Sequence, residues 1–220
     1  MTTFVFVAGG WHGGWYFQEL ASALHQQNHN AFPLTLTGVG DRAHLLAAST
    51  NLDTHIEDVI NFLKTERLTD VVLCGHSYGG MVITGVADRF PECLSSLVYI
   101  DAYVPKDGDS CWSLANETYR QRFIEGASKN GYAVEPRPGA DIRTTAHPLA
   151  SFMQKIRLNH WLDERIRKHY IYLSGWKDTP FTATYEQLLS DPAWSVYALP
   201  SRHDIMSDAP DKLFEILLTI

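Results

Sequence analysis

The segment Gly75-His76-Ser77-Tyr78-Gly79-Gly80 lies between an apolar run at 71–74 and a helical pattern from about Gly79 to Arg89, stopped by Pro91. A strand that becomes a helix through so few residues must turn sharply. Glycines two before and two after Ser77 let the backbone bend without side-chain clashes. The helix that follows directs its N-terminal N–H groups at the turn, where they favour negative charge. A phosphate-cradling turn would end in Gly-Lys-Ser or Gly-Lys-Thr, whereas Met81 follows Gly80 here. The segment therefore predicts an exposed nucleophilic serine on an α/β framework.

The remaining chain alternates in the same way. Apolar runs at 4–8, 31–36, 97–100, 170–173 and 195–199 predict strands, the second weakened by Pro33. Residues 15–24 read as a helix. Leu52, Ile56, Val59, Ile60 and Leu63 repeat at helical spacing, with Thr54 and Glu57 as a predicted capping box. A last helix opens near Pro210 and carries Leu213, Ile216, Leu217 and Ile220 on one stripe. About six mostly parallel strands with helices on both faces follow from this pattern. Between about 105 and 167 the periodicity degrades into turns and helical pieces such as 151–158, predicting a small helical cap inserted in a single domain, 1–220. Its aromatics Trp112, Tyr119, Phe123, Tyr132, Phe152 and Trp161 suit either a lid or the insertion's own core.

A net charge of −7 without a basic cluster argues against nucleic acid and anionic membranes as partners. No segment approaches the roughly 18 apolar residues that span a bilayer. Three cysteines suit reduced thiols rather than a disulfide framework. With no basic, apolar leader at the N-terminus, the expected location is cytoplasmic.

A serine hydroxyl needs a base. Of ten histidines, His203 alone falls after the last strand and before the last helix, completing the chain order serine, acid, histidine. His76 is expected to be structural, and His12 to touch substrate or brace its loop. For the acid that orients His203, Asp178 follows the penultimate strand and is the first candidate; Asp101, at the end of the strand before it, is the alternative. Asp191 and Asp204 read as solvated loop residues. The backbone N–H of Tyr78 and an N–H from the loop 9–14, best placed at Gly10, would bind an oxyanion. That loop also approximates a dinucleotide fingerprint, but residues 33–37 lack the acidic residue that would hold a ribose.

The strand and loop 4–15, the loop 37–45, the segment 73–81, the run 98–105 and the ending around His203 together resemble one group of α/β-hydrolases. That group holds bacterial pyrethroid-hydrolase-type carboxylesterases, plant methyl esterases and plant hydroxynitrile lyases. The resemblance covers most of the chain and is poorest in the insertion. It implies an α/β-hydrolase fold, Ser77, Asp178 and His203 as catalytic residues, and Gly10 and Tyr78 as oxyanion donors. It further implies ester hydrolysis through an acyl-enzyme on a small-molecule substrate, with no metal and no organic cofactor. Trp11 and Tyr103 suggest a hydrophobic substrate pocket. Two positions depart from the group: Ala8-Gly9 replaces its usual His-Gly, which is expected to alter the pocket floor, and Asp204 replaces the lysine that follows the lyases' histidine. The second disfavours cyanohydrin cleavage. A lactonase, thioesterase, amidase, perhydrolase or natural-product enzyme on the same triad, or a receptor that only binds, are the rival readings.

Overall fold

In the computed structural model residues 1–159 and 164–220 are described. The strands are β1 (Thr3–Val7), β2 (Asn30–Leu34), β3 (Val71–His76), β4 (Leu94–Ile100), β5 (Ala133–Val134), β6 (His147–Pro148), β7 (Arg167–Leu173) and β8 (Trp194–Leu199). Six form one sheet in the order β2-β1-β3-β4-β7-β8, and every pairing in it is parallel. β5 and β6 form a separate antiparallel pair. The helices are α1 (Gln18–Gln26), α2 (Leu52–Thr65), α3 (Gly79–Arg89), α4 (Cys111–Leu114), α5 (Glu117–Ala127), α6 (Leu149–Met153), α7 (Thr182–Leu189), α8 (Ile205–Asp208) and α9 (Pro210–Leu217).

Strands covered on both faces read as continuous apolar runs, and successive side chains divide between the two layers. Val5, Val7 and Leu73 join one core with residues of α2 and α3. Phe4, Phe6, Val72 and Cys74 join the other with residues of α1 and α9. Pro33 is tolerated because β2 is an edge strand. The cap of α2 differs from expectation: Asn51 Oδ1 accepts the Thr54 N–H at 3.0 Å and Thr54 Oγ1 accepts the Asn51 N–H at 3.3 Å. Thr54 is thus the third helical residue, and the Asn51 side-chain carbonyl caps the first turn.

From β1 the chain lays β2 on one side and β3 on the other. The C-terminal ends of β1 and β3 therefore frame a crevice, the place where open parallel sheets bind ligands. The segment from β4 to β7 supplies α4, α5, the β5–β6 pair and α6. The helix expected over 151–158 is shorter and starts earlier, as α6. Beyond Met153 the chain extends, with Ile156 N–H bonded to Asp109 O (2.7 Å) and Leu158 N–H to Asp107 Oδ1 (2.9 Å), so tertiary partners replace the helical ones. Trp161 lies outside the described residues. Among the described residues no helix is long and apolar enough to cross a membrane.

Candidate active site

Ser77 sits at φ +54°, a left-handed conformation that costs a non-glycine residue roughly 1–2 kcal/mol. It is held there by its N–H to Ile100 O (3.2 Å) and by its C=O, which accepts from Gly80 and Tyr103 N–H at 3.1 and 3.2 Å. A Cβ on Gly75 would lie 2.7 Å from the backbone of Gly79, and one on Gly79 would lie 2.5 Å from Val7 O. The turn thus closes only with glycine at both positions. The Ser77 hydroxyl makes no hydrogen bond among the described residues and faces the same cavity as His203.

His203 Nδ1 donates to Asp101 Oδ2 at 2.7 Å. Asp101, the residue after β4, is fully buried, at φ +43°, with its own N–H on Ile171 O. Its Oδ2 also accepts Trp176 Nε1 at 3.0 Å and its Oδ1 accepts Leu173 N–H at 3.2 Å. Three donors satisfy a carboxylate that burial alone would penalise heavily. The Trp176 ring lies 4.8 Å from the His203 ring, and Phe181 stacks on His203 at 5.5 Å. This corrects the expectation for Asp178, whose side chain is exposed and makes no contact with His203 among the described residues; its C=O instead accepts the Asn116 side-chain amide. After β7 the chain brings the Trp176 indole to the carboxylate of Asp101, and two residues later, at φ +55°, Asp178 projects outward. No strong signal in the sequence marked Trp176 for this place.

The N–H groups of Gly10 and Tyr78 have no acceptor among the described residues. Both are held from behind. His12 Nδ1 donates to Gly10 O at 2.7 Å, so His12 braces the loop while also lining the cavity. Trp11, at φ +69°, donates its N–H to His147 Nδ1 (3.2 Å) and its indole N–H to Val134 O (2.8 Å). The Tyr78 hydroxyl donates to His55 Nδ1 (2.9 Å), and His55 Nε2 donates to Thr37 O (2.9 Å). His147 Nε2 donates to Ser151 Oγ (2.8 Å), which donates to Pro148 O (2.8 Å). Each of these two histidines accepts on Nδ1 and donates from Nε2, the pattern of a neutral ring. Burial pushes His55 down to about 4 and His147 well below the usual range. His55 and His147 carried no sequence signal, because the groups they brace, Tyr78 and Trp11, belong to other elements of the fold. His76 donates from Nε2 to the His203 carbonyl (2.9 Å) and stacks on Tyr16, a structural role.

The cavity has two lobes that share Gly10, Trp11, Ser77 and Tyr119. The narrow one, about 10 Å³, is room for roughly one water or a methyl-sized group; Trp11, Tyr103, Phe123 and Phe152 line it. The wide one, about 750 Å³, reaches His203 and Trp176. Trp11 and Tyr103 thus both meet Ser77 in the narrow lobe. Ala8 borders neither; it is buried in the layer under α1, and Gly9 is the residue that faces the cavity. The expected effect of Ala8 on the pocket floor is therefore not met, because adjacent residues point to opposite sides. Among the described residues no group of three metal-ligating side chains exists.

A sequence model of the alpha/beta hydrolase family matches residues 4–216. A carbendazim hydrolyzing esterase of Nocardioides is 37% identical over 241 residues, spanning 100% of each chain. Methylesterase 10 of Arabidopsis thaliana is 32% identical over 124 residues, 56% of this chain and 45% of that protein. A solved extracellular alpha/beta-hydrolase from a Paenibacillus species matches with a TM-score of 0.83 at 20% identity, over 100% of this chain and 98% of that one, a likeness of fold.

Proposed function

We propose, from the premise that this chain belongs to the alpha/beta hydrolase family and is an esterase, that Ser77, His203 and Asp101 cleave a small, largely hydrophobic carboxylic ester. The observation that carries the assignment is the 2.7 Å contact between His203 and the buried Asp101, on the cavity that holds Ser77. His203 Nε2 takes the Ser77 proton as Oγ attacks the ester carbonyl, and the N–H groups of Gly10 and Tyr78 receive the charge on its oxygen. His203 returns the proton to the departing alcohol, leaving an acyl-serine. Water, deprotonated by the same ring, then releases the acid and restores Ser77. Asp101 keeps the proton on Nδ1, so that Nε2 is the basic nitrogen, and stabilises the imidazolium.

In this reading the segment of about 105–167 acts as a cap, since Phe123 and Phe152 close the narrow lobe over Ser77. The three cysteines are unpaired and buried, in keeping with a cytoplasmic setting. The Nocardioides relative makes carbendazim a first substrate to try, beside aryl, alkyl and methyl esters, lactones and thioesters. A fluorophosphonate is expected to label the native protein and not Ser77→Ala. An unlabelled native protein overturns the reading.

A further inference from the structure

Four arginines border the wide lobe: Arg122, Arg137, Arg143 and Arg202. Arg143 is paired with Asp141 at 2.7 Å and Arg202 with Asp208 at 3.0 Å. Arg122, on α5, and Arg137, on the loop beyond it, have no carboxylate partner among the described residues. What holds Arg122 is aromatic: its Cζ lies 5.1 Å from the Trp11 ring centre and 5.4 Å from that of Tyr119. The two rings hold the guanidinium at the cavity wall, one of its N–H groups reaches the Tyr119 hydroxyl, and the five-donor fork, which lysine lacks, can serve a planar acceptor as well. Trp11 and Tyr119 border both lobes, as Ser77 does, so this charge lies on the wall of the cavity that holds the serine. Burial raises the Tyr119 phenol, while Arg122 and Arg137 both pull it down, so the two positive fields meet at one hydroxyl. The lobe's remaining acids, Glu19 and Asp204, belong to α1 and to the His203 loop. They would repel an anion there and leave the α5 wall as its seat. In a chain of net charge −7 such an uncompensated pair is not a by-product of a basic surface.

We infer that Arg122 and Arg137 form a carboxylate-binding subsite, and that the preferred substrates are esters whose larger portion, seated in the wide lobe, carries a second, free carboxylate. This rests on the serine-esterase reading and adds the substrate class to it. The test compares matched esters of equal size: methyl 4-carboxybenzoate against methyl 4-carbamoylbenzoate, and 4-carboxyphenyl acetate against 4-carbamoylphenyl acetate. In at least one pair the anionic ester is expected to show the higher kcat/KM. That ratio is expected to fall about tenfold in Arg122→Met or Arg137→Gln, as for loss of one charged hydrogen bond, and to shrink with added salt. The exposed Arg137 provides a variant that does not disturb packing. Binding of terephthalate and terephthalamide to Ser77→Ala, followed by calorimetry, reads the subsite without turnover. Equal binding of the two, or ratios that the variants do not change, overturns the subsite even where fluorophosphonate labelling upholds the serine reading. Arginine-dependent terephthalate binding in an unlabelled protein would do the converse.

Discussion

At the scale of single residues, the acid partner of His203 is decided by burial and donors. A carboxylate that only orients an imidazole must be fixed itself, and Asp101 is fixed by Leu173 N–H and Trp176 Nε1 before His203 is counted. Asp101→Asn retains the shape but presents an amide that can donate to Nδ1, which favours the wrong tautomer. A fall in kcat of roughly 10³- to 10⁴-fold is expected, as in other triads of this kind. Asp178→Asn, on an exposed side chain, is expected to leave kcat near the native value. Steady-state kinetics on one aryl ester decides between them, and a larger loss at Asp178 would return the acid to the position implied by family resemblance.

At the scale of elements, the N–H groups proposed as oxyanion donors, those of Gly10 and Tyr78, are braced by other elements of the fold. The loop after β1 is clamped by β5 through the Trp11 indole and by β6 through His147, while Tyr78 is clamped by α2 through His55. A loop carrying a glycine and a positive-φ tryptophan would otherwise sample several positions for the Gly10 N–H. His147→Ala is therefore expected to lower kcat by roughly ten- to a hundredfold, less than outright loss of an oxyanion donor. KM should change little, because the charge is stabilised in the transition state rather than in the bound ester. A rise in KM at constant kcat would show that His147 merely shapes the pocket. Strand positions, helix stripes and the elbow were legible in the sequence because each is written within a few consecutive residues. The β5–β6 pair, two residues per strand, has no period long enough to read.

At the scale of the whole molecule, the fold carries several neutral histidines in its interior. Burial lowers His55 and His169 to about 4, and His76 and His147 lie well below their usual range. In the unfolded chain each takes a proton near pH 6.5. Their contribution to stability is thus complete above about pH 6.5 and is lost as the pH falls from there toward 4, where the unfolded state binds more protons. Asp53, whose depressed pKa reflects its bonds to Arg89 and Gln154 against opposing burial, titrates only below the ordinary carboxylate value of 3.8. Melting temperature is accordingly expected to drop between pH 6.5 and 4, before the carboxylates contribute. The slope should flatten in His55→Asn, and a constant melting temperature across that window would contradict it.

Residue order alone was enough to predict the alternation of strand and helix, the glycine-flanked elbow at Ser77, and the place of His203 between the last strand and the last helices. Those features follow from residue spacing, glycine sterics and hydrophobic period, all of which act locally. Which aspartate lies against His203 is visible only in the folded chain, where Asp101 accepts from its Nδ1. One aspartate directly follows β4 and the other lies in the loop beyond β7, and the difference between them is that Trp176 bonds Asp101 while Asp178 turns to solvent. The same holds for the histidines behind the oxyanion donors and for Arg122 stacked on Trp11 and Tyr119. Their contacts arise from packing between different elements, such as Trp11 against His147 and Arg122, which no local pattern encodes.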